Sequence, residues 1–498
     1  MKKNLLLFMG LILSMSIFSY TPAPFNFHKY SVAHKRSTLP ESYDSRELGI
    51  ILPSRDQKQT NTCWAFTACD VSQSLFYKNG SESGELAPII YVNCANSLGF
   101  INIDLKSGGN EEIVTAMHNM LKAPVYQKNM PSLIENYSEQ CPEYTQENIH
   151  SYILDTSTLP EDDHIAIKQA IMEYGSVYAS IYMNEIYVTS TFDYIYTGDM
   201  NPNHAVSIIG WDDTKSSWLV KNTWGSEWGN EGTFWVSYND PHISKKCTSF
   251  NKFIGTDEIN KVYSYSTTGQ TGSFGFETNN FPSSILIVYE IEKGETIEYI
   301  ATHIPNPNTK VQIAIKSSTA GNPLLYESTE EIVKYTGMHL HKLSNPIISD
   351  GEPIFVEICY TTDHYYAIPI ESEGNRPNYK KLTLHENQYF YFNNEWVPVG
   401  KDTEYPFNFV VYIYTKENYV ATDLLENSVE NNSKAISGNK INPDIWNDAI
   451  QINIFDISGR NFCTIKAGEE LPSLNKGYYV LVIDHKDGHF TTERYNVF

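Results

Sequence analysis

The chain has 498 residues, more than one ordinary hydrophobic core accommodates, so several domains are expected. Hydrophobic residues make up 41% of it, which is enough for well-packed cores. The 59 acidic residues outnumber the 36 basic ones, and the resulting formal net charge of −23 disfavours binding to nucleic acid or to an anionic membrane.

The first twenty residues have the pattern of a secretory signal peptide. Lys2 and Lys3 precede an apolar run over residues 5–13, and small and polar residues follow. The alternative is a membrane anchor, but the run is shorter than the roughly 20 residues that a spanning helix needs. We therefore predict a signal peptide over residues 1–20, a short N-terminal segment over 21–39, and a mature chain without a transmembrane span.

Residues 40–256 mix helical and strand patterns. The stretch TCWAFTACDVSQSLFYKN predicts a helix that opens near Cys63, and IAIKQAIMEYG predicts a second helix that ends at Gly175. The stretches HAVSIIGWDD and TFWVSY are typical of strands. This region is therefore expected to be an α+β domain.

Cys63 is a candidate nucleophile because its predicted position at a helix start favours the thiolate. A cysteine nucleophile also needs an imidazole, and His204, at the head of a predicted strand, is the best candidate. Asn222 could orient that ring through its side-chain oxygen, and Trp224 and Trp228 could shield the hydrogen bond from water.

Acyl transfer further requires hydrogen-bond donors directed at the developing oxyanion. The backbone N–H of Cys63 and the side-chain amide of Gln57 are the candidates. A serine-based mechanism is not indicated, because the sequence has no Gly-x-Ser-x-Gly motif.

Four sequence blocks together resemble those of papain-like cysteine proteases. They are Gln57, the block Cys63 to Phe66, His204 to Val206, and Asn222 to Gly225, in the family's order. The resemblance covers residues 40–255 and implies two lobes, one helical and one β, with the active site between them. It implies a thiol peptidase, for which we favour endopeptidase activity, and it requires no cofactor or metal.

The resemblance also implies a substrate-binding group. Gly108 and Gly109 match a glycine pair that lets an extended peptide approach the cleft, and Asn110, Glu111 and Trp224 would border the substrate. A surface turn is the alternative for the two glycines.

The sequence departs from the family pattern in its cysteines and in its N-terminal segment. Thr60 stands where the family usually has a cysteine, so Cys94 is expected to lack its usual partner and the loop before Cys63 to be looser. Because the chain has seven cysteines, an odd number, one thiol is expected to remain outside the disulfides. The long inhibitory prosegment of the lysosomal relatives is also missing.

Residues 257–416 carry repeated alternating runs such as VQIAIKSS, IFVEICYTT and FNFVVYIYT, separated by turn signals. This pattern predicts an all-β sandwich. The runs VYSYSTTGQTGSFGF, YYAIPIE and FNFVVYIYT resemble a lectin-like sandwich that follows papain-like domains in exported proteins. That resemblance implies a glycan partner, whereas a spacer that packs on the protease is the alternative.

Residues 417–443 are polar and rich in Asn, Ser and Glu, which predicts a linker. Residues 444–498 are expected to form a small all-β module of four or five strands. The pieces IFDISGR and LPSLNKGYYVLVI resemble the sorting domain of the type IX secretion system, which implies export through that machinery. A small adhesive module is the alternative.

These observations predict a secreted or cell-surface thiol peptidase that acts on peptides or proteins through Cys63, His204, Asn222 and Gln57. The second hypothesis is a catalytically weak surface protein that binds glycan or a host protein through its sandwich. A transglutaminase-like acyl transferase has no support in the sequence.

Overall fold

The computed structural model describes most of the chain. The described residues are 30–32, 39–81, 84–100, 102–130, 140–276, 282–318, 322–373, 382–417, 436–437, 440–441, 449–456, 461–466, 469, 477–486 and 490–497. The predicted signal peptide, most of segment 21–39 and most of the predicted linker therefore lie outside them.

The described residues of the peptidase region form the α-helices α1 (Cys63–Lys78), α2 (Pro88–Leu98), α3 (Glu111–Asn119) and α4 (His164–Tyr174). The two predicted helices are confirmed as α1 and α4. Asp163 caps the start of α4 by accepting a hydrogen bond from the Ala166 N–H at 3.0 Å. Gly175 ends α4 with a φ of +97°, a conformation that a side chain would disfavour.

The peptidase region also contains one eight-stranded sheet. Its strands are β1 (Ser42–Asp44), β2 (Ser151–Thr158), β3 (Val177–Ile181), β4 (Asp193–Tyr194), β5 (His204–Asp212), β6 (Ser217–Lys221), β7 (Thr233–Ser237) and β8 (Thr248–Gly255). Their order is β2-β8-β3-β5-β6-β7-β4, and β1 pairs with β5. The predicted strands are confirmed as β5 and β7. Because eight of the nine β5 residues are buried, this strand forms the centre of the region.

The second region is an all-β sandwich, as predicted. Its strands are β9 (Lys261–Tyr263), β10 (Gly272–Phe274), β11 (Ser283–Tyr289), β12 (Thr296–Ile304), β13 (Thr309–Ser317), β14 (Leu324–Glu327), β15 (Glu331–Val333), β16 (Gly337–Ile348), β17 (Ile354–Thr361), β18 (Ile368–Ser372), β19 (Gln388–Phe392), β20 (Glu395–Val399), β21 (Phe407–Phe409) and β22 (Val411–Lys416). They form sheets ordered β10-β18-β21, β14-β13-β17-β11-β19-β20 (with β15 on β13) and β16-β12-β22-β9.

The peptidase helices and the sandwich share one hydrophobic core. Buried side chains of α1, α2 and α3 form a single cluster with sandwich residues that include Tyr299, Met338 and Tyr414. The Tyr414 hydroxyl also donates a hydrogen bond to the Asn119 carbonyl of α3 at 3.1 Å. A second cluster lies between α4 and the peptidase sheet and includes Ile167, Val206 and Trp218. The two regions are therefore packed together as one compact unit.

The C-terminal residues form a separate four-stranded sheet. Its strands are β25 (Ala449–Asp456), β26 (Asn461–Lys466), β27 (Gly477–His485) and β28 (Phe490–Val497), preceded by the short pair β23 (Ile436–Ser437) and β24 (Lys440–Ile441). The order is β26-β25-β27-β28, with every neighbouring pair antiparallel. Ile452, Ile454 and Leu481 are buried in it.

Cys94 lacks its usual partner, as predicted, because Thr60 offers no thiol, but it forms a disulfide with Cys141, 47 residues along the chain. The expectation of a single remaining thiol was wrong. Five cysteines rather than one form no disulfide, and they lie on separate elements: Cys63, Cys69, Cys247, Cys359 and Cys463. An odd count shows only that at least one thiol remains, whereas pairing requires Cα atoms within about 7 Å, which the tertiary structure decides.

Candidate active site

Cys63 is the first residue of α1. Thr62, which precedes it, makes no side-chain cap. The positive end of the helix dipole therefore lies at the thiol and favours its ionised form. The sulfur accepts a hydrogen bond from the backbone N–H of Ala205 on β5 at 3.3 Å. This contact places the thiol beside the residue that follows His204.

His204 begins β5, and Asn222 follows the end of β6, the neighbouring strand. His204 Nε2 and Asn222 Oδ1 are 2.7 Å apart, and both side chains are buried. Since an amide oxygen only accepts, Nε2 carries the hydrogen in this bond. Nδ1 is then the ring nitrogen that can exchange a proton with a thiol.

The surroundings of His204 determine its charge state. Burial lowers the pKa of His204 to about 4, and the hydrogen bond to Asn222 acts in the opposite direction. Beside a protonated thiol the ring is therefore neutral at pH 7 and able to accept the thiol proton. A thiolate formed in this way favours the imidazolium, because opposite charges at close range stabilise each other.

Two tryptophans pack in succession beside the histidine. The Trp224 ring lies 5.0 Å from the His204 ring between centroids, and Trp228 packs edge-on against Trp224 at 5.2 Å. The Trp228 indole N–H donates to a carboxylate oxygen of Glu185 at 3.0 Å, which holds this outer ring. Trp224 thus lies against the imidazole and Trp228 lies behind Trp224, and exclusion of water by these rings strengthens the hydrogen bond to Asn222.

Gln57 is tied to the segment that carries Asn222. Its backbone N–H donates to the Thr223 carbonyl at 2.8 Å, and its side-chain oxygen accepts from the Thr223 hydroxyl at 2.5 Å. One amide hydrogen is directed at the Thr60 carbonyl, 2.5 Å away. Because an amide nitrogen carries two hydrogens, the second is the one that could serve an oxyanion.

The loop before Cys63 is held by hydrogen bonds and not by a disulfide. The Thr60 hydroxyl lies 2.6 Å from both the Gln57 carbonyl and the Thr62 hydroxyl. The Asn61 N–H donates to the Leu105 carbonyl at 2.7 Å, which ties the loop to the segment before the glycine pair. Thr60 thus replaces one covalent tie by several polar contacts, and the expectation of a looser loop stays a prediction.

The predicted substrate-binding glycines lie beside the catalytic helix. Gly108 has a φ of +73°, and a Cβ on Gly109 would lie only 2.4 Å from the Trp64 indole, so a side chain has no room there. Asn110 caps α3 by accepting from the N–H groups of Glu112 and Ile113, both at 3.1 Å. Glu111 is buried, and its carboxylate lies 2.7 Å from the Lys246 ammonium. Substrate binding by Asn110 and Glu111 stays a prediction.

Sequence reasoning missed three features that hold Gln57 and Asn222 in place. Thr223 bridges to Gln57, as described above, and the Ser54 hydroxyl donates to the Asn222 carbonyl at 2.5 Å. The third is a buried ion pair of Lys221 with Asp70 at 2.8 Å, which links β6 to α1 directly beside Asn222. Position next to Asn222 could have indicated Lys221 and Thr223, but nothing in the sequence connects Ser54 or Asp70 to this group.

The competing thiols are less suited to nucleophilic chemistry. Burial raises the pKa of Cys69 to about 12, and it also raises the pKa of Cys247, so both remain protonated at neutral pH. Across the residues that the structure describes, no three His, Cys, Asp or Glu side chains are grouped to hold a metal ion.

Two known families match the two regions. Residues 39–253 match the papain family of cysteine proteases, and residues 262–415 match the lectin like domain family. The chain therefore contains a papain-like cysteine protease domain followed by an all-β lectin-like domain.

The curated relatives belong to the first region. Mouse cathepsin J is 28% identical over 218 residues, which cover 40% of this chain and 60% of cathepsin J. The thiol protease aleurain of Arabidopsis thaliana is 24% identical over 211 residues, which cover 41% of this chain and 57% of aleurain. The chain thus spans about 60% of the length of these relatives, and they support a cysteine-type peptidase.

One solved structure is similar over both regions. It contains the cysteine protease and lectin-like domains of Cwp84, a surface layer associated protein of Clostridium difficile. The TM-score is 0.68 at 19% identity, and the match covers 80% of this chain and 93% of that one. At this identity the likeness establishes the shared fold.

Proposed function

We propose that this protein is a thiol peptidase that hydrolyses peptide bonds through an acyl-enzyme on Cys63. The observation that carries the proposal is the buried group in which His204 Nε2 meets Asn222 Oδ1 at 2.7 Å while Ala205 holds the Cys63 sulfur. A thiol at a helix start beside an oriented imidazole is the arrangement that nucleophilic catalysis by cysteine requires.

In the first half of the reaction, His204 Nδ1 takes the Cys63 proton and the thiolate attacks the peptide carbonyl carbon. The carbonyl oxygen becomes an oxyanion, stabilised by the Cys63 backbone N–H and the second amide hydrogen of Gln57. His204 then donates its proton to the leaving nitrogen as the C–N bond breaks. The acyl group remains on the sulfur as a thioester.

In the second half, water attacks the thioester carbonyl and His204 accepts its proton. The same two donors stabilise the second oxyanion, and the C–S bond breaks to release the acid and return the thiol. Asn222 keeps the ring oriented throughout, because an amide partner fixes the tautomer without adding negative charge.

The test compares purified full-length protein with its Cys63→Ala variant on a fluorogenic peptide library. We expect turnover by the wild type alone, and covalent labelling of Cys63 by an epoxide inhibitor of thiol proteases, located by peptide mass mapping. Cys69→Ala is the matched control, since Cys69 is a buried thiol on the same helix. Activity that survives Cys63→Ala would contradict the mechanism.

We further propose endopeptidase activity, with extended substrates lying along Gly108 and Gly109 and beside Trp224. The support is steric, because Gly109 packs without a side chain on Trp64, adjacent to Cys63. Cleavage of peptides blocked at both termini distinguishes an endopeptidase from an exopeptidase, which needs a free end.

We also propose that the protein acts outside the cell or on its surface. The signal-peptide pattern of residues 1–20 supports export, and the similar protein Cwp84 is described as surface layer associated. None of the described helices is long and apolar enough to cross a membrane. Removal of residues 444–498, the proposed type IX sorting domain, should leave the protein inside the producing cell.

Finally, we propose that the sandwich binds glycan, on the basis of its match to the lectin like domain family. The hypothesis of a protein that binds glycan but lacks catalysis is not favoured by the relatives, which are peptidases.

A further inference from the structure

A cavity lies where the peptidase region meets the sandwich, within one compact unit. Helix α3 and strands β2 and β8 form one wall, and β12, β16 and the loop before β10 form the other. The enclosed part of the cavity has a volume of about 40 Å³. It can thus hold a few hydroxyl groups or waters.

Hydroxyl and amide side chains make up about half of the lining. They are contributed by both regions: Thr115, Thr156, Thr158, Thr248, Thr268 and Gln270. Such side chains both donate and accept hydrogen bonds, although the Thr115 and Thr268 hydroxyls already donate to the Glu111 carbonyl and the Glu371 carboxylate. The groups left in the lining complement a ligand that both donates and accepts, as sugar hydroxyls do.

Two of these side chains are buried with unused hydrogen-bonding capacity. Among the described residues, the Thr248 hydroxyl and the Gln270 side-chain oxygen have no hydrogen-bond partner, although the two residues are only 3% and 7% exposed. The Gln270 nitrogen is engaged with the Gly272 carbonyl at 3.1 Å, which fixes the direction of the amide. Buried polar atoms nearly always have partners, so these two indicate groups that a ligand or water supplies.

The charges around the cavity favour a neutral ligand. Lys246 lies 2.7 Å from Glu111 and 3.5 Å from Glu112, so two carboxylates face one ammonium. Burial lowers the pKa of His303 to about 3, and this ring adds no positive charge at neutral pH. An anionic ligand would meet a net negative wall, whereas a neutral hydroxyl-rich ligand would meet little repulsion.

We propose that this cavity is a binding site for one neutral sugar residue of a glycan, with hydroxyls bonded to Thr248 and Gln270. The proposal rests on the glycan-binding part of the proposed function and locates it at the junction with the peptidase region. It differs from a site on the sandwich alone, because α3, β2 and β8 supply half of the wall.

The experiment uses full-length Cys63→Ala protein, which avoids self-digestion, and the probes glucose, galactose, mannose, N-acetylglucosamine and glucuronic acid. Binding is measured by saturation-transfer NMR and calorimetric titration. The site variants are Thr248→Val and Gln270→Leu. The matched control is Thr329→Val, which removes an exposed hydroxyl from the sandwich.

We expect at least one neutral sugar to bind, the anionic sugar to bind more weakly, and each site variant to weaken binding about tenfold, as loss of one hydrogen bond does. Thr248→Val should leave the melting temperature unchanged, since its hydroxyl has no structural partner. Sugar binding that is unaffected by both variants would overturn this site but leave glycan binding intact. If no sugar bound, both the proposed glycan binding and this site would be overturned. The cavity would then hold only water.

Discussion

At the scale of single residues, Thr60 illustrates how polar contacts replace a covalent tie. Its hydroxyl joins the Gln57 carbonyl to the Thr62 hydroxyl, and its carbonyl accepts from the Gln57 amide. Gln57, which we propose donates to the oxyanion, is thereby held by the loop that leads into Cys63. The Thr223 hydroxyl holds the other end of the same amide.

Gln57→Ala should lower kcat/KM by about 100- to 1000-fold, because one donor to the oxyanion is lost. The effect should appear mainly in kcat, since the charge develops only in the transition state. Steady-state kinetics on a fluorogenic peptide measure it, with Gln312→Ala on an exposed sandwich position as the control. A loss of less than threefold would remove Gln57 from the mechanism.

His118 should make the stability depend on pH. Burial lowers its pKa to about 3, and the ring bonds to the Tyr91 hydroxyl at 2.7 Å. The His118 ring takes up a proton near pH 6.5 in the unfolded chain but not in the folded chain, so the free energy of unfolding falls as the pH drops from 6.5 towards 3. At pH 4.5 this loss of stability amounts to about 2 to 3 kcal/mol.

His118→Gln should therefore reduce the loss of unfolding free energy between pH 7.5 and pH 4.5 by about 2 to 3 kcal/mol, as measured by urea denaturation. His364→Gln, at a half-exposed position, is the matched comparison. Equal pH dependence in the wild type and His118→Gln would refute this assignment.

At the scale of elements, three segments bring the site together. Helix α1 carries Cys63, β5 carries His204, and Asn222 follows β6. The ion pair of Asp70 on α1 with Lys221 on β6 is buried, with side chains only 6% and 3% exposed. Because a buried charge without its partner is costly, this pair favours one relative position of α1 and β6.

The disulfide Cys94–Cys141 acts on the same scale, since it joins α2 to the segment before β2 and encloses α3. Replacing both cysteines by alanine should lower the free energy of unfolding by about 3 to 4 kcal/mol, as a loop of this length predicts. Guanidinium denaturation under oxidising conditions measures the change. The comparison is Cys359→Ala, which removes a thiol outside the disulfide. If the free energies of unfolding of the double variant and of Cys359→Ala differed by less than about 1 kcal/mol, the expectation would be contradicted.

At the scale of the whole molecule, the peptidase region and the sandwich meet through backbone as well as side chains. The Thr158 N–H donates to the Thr336 carbonyl at 2.8 Å. Tyr30 of the N-terminal segment contacts both regions, because its hydroxyl donates to the Thr158 carbonyl at 2.6 Å and lies 3.4 Å from the Thr336 hydroxyl. Gly337 lies so close to β2 that a Cβ would stand 2.2 Å from the Thr156 carbonyl oxygen. Glycine is needed there for close approach as well as for its φ of +131°.

Gly337→Ala should separate the two regions and split one unfolding transition into two in differential scanning calorimetry. The control is Gly80→Ala, which has a φ of +75° but open space around the added methyl group, so it isolates the cost of backbone strain. We expect Gly80→Ala to lower the melting temperature slightly and to keep a single transition. Identical calorimetric profiles for the two variants would show that the close contact of Gly337 with β2 does not hold the two regions together.

The sequence alone determined the elements whose patterns are local. The periodicity of α1 and α4 and the alternation of the sandwich strands were readable because each depends on neighbours in the chain. The candidate residues Cys63, His204, Asn222 and Gln57 were indicated by four short blocks in the order of a known family. The tertiary structure alone decided the partner of Cys94, the ties of Thr60, Ser54 and Thr223, the pair of Asp70 with Lys221, and the cavity at the junction. These depend on distances between segments far apart in sequence, and those distances are set by packing.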